Sequence, residues 1–120
     1  MSKKILIVDD DKDILEPLAI ILESYGYVVQ AITKGKLVST RVTLFHPDII
    51  LLDILMSGSD GRTICKKLKS DKNTQNIRII MMSAHPYADR DSKDAGADDF
   101  LAKPFETQEL LGMLNKHISD

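Results

Sequence analysis

Asp48-Ile49-Ile50-Leu51-Leu52-Asp53-Ile54-Leu55-Met56-Ser57-Gly58-Ser59-Asp60-Gly61 is the stretch on which the fold turns. Its aliphatic run Ile49 to Leu52 has no polar alternation, which predicts a strand buried on both faces in the middle of a parallel sheet. Asp53 follows directly. A carboxylate at the carboxyl end of a central strand, before a loop rich in Gly and Ser, stands where open α/β sheets place their ligands. Taken alone, such an Asp is a turn residue or a helix cap, and the rest of the chain must decide.

Toward the amino terminus, Ile5 to Val8 is a second unbroken aliphatic run, ending in Asp9-Asp10-Asp11. Three carboxylates cannot enter a core without compensation, so this is a first strand with an acidic rim. Ile14, Leu15, Leu18, Ile21 and Leu22 recur at helical spacing over Lys12 to Tyr25, with Pro17 bending the first turns, Asp11 as the cap and Gly26 as the stop. Tyr27 to Ile32 reads as a second strand, Thr33 to Lys36 as a turn, and Leu37 to Phe45 as a weaker helix capped by His46 and broken by Pro47.

Toward the carboxyl terminus, Asp60 reads as a turn residue and Arg62 to Lys69 as a third helix, with Cys65 a small buried hydrophobe. Ile77 to Met82 is another apolar strand, with Met81 and Met82 as core filler and Ser83-Ala84 closing it. His85 to Asp94 offers only Tyr87 and Ala88 as apolar residues, which predicts a short or mobile helix with a poor inner face. Phe100 to Lys103 forms a last short strand, and Glu106 to Ile118 a closing helix with Leu110, Leu111, Leu114 and Ile118 on one stripe.

Five strands alternating with five helices, without hairpin turn chemistry between strands, predict right-handed crossovers and an α/β sandwich. The doubly wound (βα)5, flavodoxin-like order is 2-1-3-4-5, with the ends of strands one and three adjacent at the switch point. The chain of 120 residues is expected to be one domain over 1–120. Its formal charge of −2 and spread lysines predict no direct contact with nucleic acid. The single cysteine and the short apolar start predict a cytoplasmic protein with no signal peptide and no membrane insertion.

The chosen topology brings Asp9, Asp10, Asp53, Ser83 and Lys103 to one edge of the sheet. Carboxylates on adjacent strands, about 4.8 Å apart, repel one another unless a cation offsets them. The donors are hard oxygens, and no His or Cys shares the rim, which favours Mg²⁺ or Mn²⁺ over zinc. An aspartate nucleophile beside such a cation, with a lysine and a hydroxyl opposite, is suited to forming an acyl phosphate.

Four fragments in order carry a resemblance: Ile5-Leu6-Ile7-Val8-Asp9-Asp10, Pro47 to Asp53, Met82-Ser83-Ala84-His85, and Gly96 to Phe105. On these the chain resembles the receiver domain of two-component response regulators, of the kind found in chemotaxis regulators, over essentially its whole length. The resemblance implies that Asp53 accepts a phosphoryl group from a phosphohistidine on a histidine kinase or histidine phosphotransfer protein. It implies Asp10 as a direct Mg²⁺ ligand, Asp9 as a ligand through water, and the Leu55 backbone carbonyl as a further ligand. It implies that Ser83 and Lys103 contact phosphoryl oxygens, that Lys103–Pro104 is a cis peptide, and that Ser83 and Phe100 form the switch. The downstream partner then meets the face of helix four, strand five and helix five. The protein so described is no conventional enzyme, although it catalyses its own phosphorylation and dephosphorylation. Ser57 stands where the family usually has proline, the segment after Ser83 is shorter than usual, and His85 is placed to orient an attacking water.

Three other readings remain beside that resemblance. A Mg²⁺-dependent aspartyl phosphatase commonly carries a second Asp two residues after the nucleophile, where this chain has Leu55. A flavin-binding protein needs a Ser/Thr/Gly-rich phosphate loop where this chain has Asp9-Asp10-Asp11. A degenerate receiver lacks key side chains, whereas all five are here. The ending at Asp120 suggests a stand-alone receiver, with an excised domain of a longer regulator or hybrid kinase as the alternative.

Overall fold

The computed structural model describes residues 2–118. In chain order the elements are β1 (Lys4–Val8), α1 (Lys12–Ser24), β2 (Val28–Ile32), a 3-10 turn (Gly35–Leu37), α2 (Val38–Phe45), β3 (Ile49–Asp53), β4 (Leu55–Met56), β5 (Ser59–Asp60), α3 (Gly61–Ser70), β6 (Arg78–Ser83), α4 (Ala88–Asp94), β7 (Asp99–Ala102) and α5 (Thr107–Ile118). Five strands form one parallel sheet in the order β2-β1-β3-β6-β7. Without the small β4–β5 pair, this is the expected 2-1-3-4-5 winding.

The sheet is buried because its central strands are apolar on both faces. All five residues of β3 are buried. Alternate residues feed two separate cores: Leu6, Val8, Ile50, Leu52, Ile79 and Met81 pack under α2, α3 and α4. Ile5, Ile7, Ile49, Leu51, Ile80 and Met82 pack with Leu15, Leu18 and Leu22 of α1 and with Leu110 and Leu114 of α5. Burying side chains of this size stabilises by about 1.5–3 kcal/mol each before chain entropy is charged against it.

Local chemistry sets the boundaries. Asp11 caps α1 by accepting the Asp13 N–H at 3.0 Å. The helix continues through Pro17 and ends before Gly26, whose φ of 95° needs a residue without a Cβ. His46 ends α2 in the left-handed conformation, at φ 53°.

Two details differ from the sequence reading. Leu55–Met56 and Ser59–Asp60 pair as a tight antiparallel hairpin across Ser57-Gly58, with Gly58 at φ 74°; a hairpin therefore exists, although not between strands of the main sheet. Asp60 is a helix cap rather than a turn residue: its carboxylate accepts the Arg62 N–H at 2.9 Å, and α3 starts at Gly61. Helix α4 is as short as expected, at seven residues. It packs through small side chains, Ala88 and Ser92 with Ala95 just beyond, while Tyr87 is exposed.

Candidate functional site

The carboxyl edge of the sheet assembles the site. Asp9 follows β1, Asp53 ends β3, Ser83 ends β6 and Lys103 follows β7. Asp53 pairs in register with Met82, so Ser83 stands one residue beyond it on the neighbouring strand. The Lys103 N–H donates to the Ser83 carbonyl at 2.9 Å, which ties the lysine to that edge. The Lys103–Pro104 peptide is cis.

Asp9, Asp10 and Asp53 each offer a carboxylate oxygen, and these oxygens lie within 4.8 Å of one another. Asp9 and Asp53 are buried, and Asp10 is exposed. Each is held from the side. Asp9 Oδ1 accepts the Asp11 N–H at 3.0 Å, and Asp10 Oδ2 accepts the Ser57 N–H at 2.8 Å. Lys103 Nζ lies 2.6 Å from Asp9 Oδ2 and 3.6 Å from Asp53 Oδ1.

The electrostatics follow from this crowding. Burial pushes the Asp53 carboxyl up from 3.8 to about 6; Lys103 opposes the rise, and Asp9 and Asp10 add to it. One ammonium thus offsets part of the repulsion among three carboxylates. The donor set of hard, negatively charged oxygens fits a divalent cation of the Mg²⁺ or Mn²⁺ kind and offers no soft ligand for zinc.

Ser83 is buried, and its Oγ accepts the His85 N–H at 2.9 Å, leaving the hydroxyl proton free to donate elsewhere. The His85 ring is used locally: Nδ1 accepts the Tyr87 N–H at 3.2 Å, and the ring lies 5.9 Å from that of Tyr87. Leu55 heads the hairpin with its side chain exposed. Phe100, opposite Met81 in register, packs half-buried against the core on the α4 side.

The supporting roles of two residues escaped the sequence reading. Ser57 acts through its backbone N–H, a signal no side-chain motif carries. Gly61 lies so close under Asp53 that a Cβ there would press onto the Asp53 carbonyl oxygen and sit 2.9 Å from Ile54 Cα. A glycine directly after a capping Asp, at a helix start facing the key strand, was the available clue.

Comparison with known proteins agrees with this geometry. The family model described as "Response regulator receiver domain" matches residues 5–115. The DNA-binding dual master transcriptional regulator RpaA of Synechocystis is 37% identical over 110 residues, covering 90% of this chain and 46% of RpaA. A crystal structure of a candidate response regulator from Chloroflexus aurantiacus superposes with a TM-score of 0.94 at 33% identity, covering 100% of both chains. The chemotaxis protein CheY4 of Vibrio cholerae gives a TM-score of 0.90 at 25% identity, covering 98% of this chain and 100% of CheY4. The chain spans about half the length of the curated relatives it matches. Relatives named for DNA binding lend no support to the expectation that nucleic acid is excluded. Among the described residues no helix is long and apolar enough to cross a membrane.

Proposed function

Because this chain belongs to the response regulator receiver family, we propose that Asp53 is its phosphoacceptor, taking a phosphoryl group from a phosphohistidine on a histidine kinase or histidine phosphotransfer protein. The observation that supports this most is the clustering of the Asp9, Asp10 and Asp53 oxygens within 4.8 Å, with Lys103 Nζ reaching both Asp9 and Asp53. An Asp53 oxygen attacks phosphorus as the bond from phosphorus to the imidazole nitrogen breaks.

Asp10, Asp53 and the Leu55 carbonyl would hold Mg²⁺ or Mn²⁺, with Asp9 acting through water. When bound, the cation supplies positive charge to the transferring phosphoryl oxygens. Lys103 pairs with one of those oxygens, and the Ser83 hydroxyl donates to another. The ionised form of Asp53 is the nucleophile, and the positive charge of Lys103 favours it.

Asp53 phosphorylation changes which of two arrangements is favoured, because Ser83 and Phe100 contact the phosphoryl group and the α4 core differently in each. The readout is the face of α4, β7 and α5, where a downstream protein docks. The same centre returns the phosphoryl group to water, so turnover is self-catalysed. The unit doing this is the receiver domain of residues 1–120.

Intact mass after incubation with acetyl phosphate tests the reading. One phosphoryl increment that requires both Mg²⁺ and Asp53 is expected. Absence of the increment from a folded, Mg²⁺-binding chain, with no release of inorganic phosphate, overturns it.

A further inference from the structure

Basic residues are unevenly distributed along the chain. Residues 33–75 carry eight Lys and Arg against four Asp, whereas the remainder carries eight against fourteen acidic residues. This segment builds α2, the β4–β5 hairpin and α3, and two of its four Asp, Asp48 and Asp53, belong to the ends of β3. A groove of about 350 Å³ runs between these elements. Val38, Ile64 and Leu68 give it an apolar floor, and Lys36 and Lys67 stand on its rim.

The ammonium groups of Lys36 and Lys67 make no ion pair or hydrogen bond among the described residues. Asp60, a carboxylate on the same lining, is already held by Arg62 at 2.7 Å. The walls are locked together. A Cβ on Gly35 would lie 2.6 Å from Ser59 Cβ and 2.8 Å from Ile64 Cδ1, so the 3-10 turn leading into α2 is pressed onto both the hairpin and α3.

We propose that this groove docks an acidic segment of a partner protein, with one apolar side chain over Val38, Ile64 and Leu68 and flanking carboxylates paired to Lys36 and Lys67. The shape and chemistry select a peptide over a nucleic acid. The groove has an apolar floor, its lining has no aromatic platform for stacking bases, and the chain as a whole is negatively charged. The surface lies on α2 and α3, apart from the α4, β7 and α5 face, so a partner here is additional to the one proposed there. The groove lining includes none of Asp9, Asp10 and Asp53.

The test is a titration of the full chain, free of phosphodonor and divalent cation, with the peptide acetyl-Glu-Glu-Leu-Glu-Glu-amide, followed by ¹⁵N–¹H correlation spectra. Shifts are expected at Gly35, Lys36, Gly58, Ser59 and Lys67, weakening with salt. The double variant Lys36→Glu, Lys67→Glu is expected to bind about tenfold more weakly, with its β1 and β3 resonances unmoved. Replacing the peptide leucine by asparagine is expected to weaken binding as well. No shifts at millimolar peptide, shifts confined to another face, or unchanged binding by the double variant would overturn the proposal. Tighter binding of a single-stranded oligonucleotide of equal charge would overturn it in favour of a nucleic-acid surface.

Discussion

Lys103 Nζ and Asp9 Oδ2 lie 2.6 Å apart, joining the ends of β7 and β1 across a sheet in which those strands are not neighbours. Asp9 is fully buried and the Lys103 side chain is 17% exposed, and at 2.6 Å this is the shortest charge pair of the carboxyl edge. Removing one partner of a buried pair leaves the other charged without compensation.

Lys103→Met is therefore expected to destabilise the cation-free protein by about 3 kcal/mol at neutral pH. Chemical denaturation measures it. The double variant with Asp9→Asn should recover a large part of the loss, because the fully buried Asp9 carboxylate is then gone and its repulsion of Asp53 with it. Equal loss in the single and double variants would show that the pair has no such coupling.

Asp53 gives a pH dependence of definite sign. Its carboxyl is pushed up from 3.8 to about 6 in the fold, so the folded state holds a proton that the unfolded chain has released. Stability from this group is thus full below about 3.8 and falls as pH rises toward 6. Asp53→Asn removes the penalty and should stabilise the Mg²⁺-free protein at pH 7 by on the order of 2 kcal/mol, with little effect at pH 4. Adding Mg²⁺ should stabilise the wild type more than the variant. A wild type more stable than Asp53→Asn in Mg²⁺-free buffer at pH 7 would contradict this.

Asp98 behaves in the opposite sense. It sits 2.7 Å from Lys69 Nζ and accepts the Ile79 N–H at 2.8 Å; these contacts and the nearby Arg78 overcome its burial and hold its carboxyl below the usual range. Its contribution is present above about 3.8 and lost as pH falls through the lower folded value. Asp98→Ala should cost about 2 kcal/mol at pH 7, and the deficit should shrink in acid. Urea unfolding at both pH values separates this behaviour from that of Asp53.

Gly61 admits no side chain. Gly61→Ala is expected to displace the end of β3 and lower stability by about 2–3 kcal/mol, with slower phosphorylation because Asp53 moves. Gly112→Ala is the control: it stands on α5 with no atom within 4 Å of an added Cβ, and there alanine should stabilise by about 0.5–1 kcal/mol. Equal effects at the two positions would remove the packing explanation.

The central strands were legible because Ile5 to Val8, Ile49 to Leu52 and Ile79 to Met82 are unbroken apolar runs, and Asp9, Asp10, Asp53 and Ser83 because they follow those runs; Lys103 follows the shorter Phe100-Leu101-Ala102. Once the winding order is chosen, strand ends converge by geometry alone. The β4–β5 hairpin was not legible, since two residues per strand show no periodicity and Ser57-Gly58 reads as any loop. Asp60 passed for a turn residue because the helix start was set one position late, at Arg62. The inner stripe of α4 uses Ala88, Ser92 and Ala95, which a count of large apolar residues overlooks. The basic groove is assembled from separate segments, so its lysines look dispersed until the chain is folded.

The most direct test of the central claim is to locate the phosphoryl group. Acetyl phosphate and Mg²⁺ are added, the protein is reduced with borohydride, which converts an aspartyl phosphate to homoserine, and peptides are sequenced by mass spectrometry. The account predicts homoserine at position 53 alone and none without Mg²⁺. Homoserine at position 9 or 10, or at none of the three in a sample whose intact mass shows a phosphoryl increment, would contradict it.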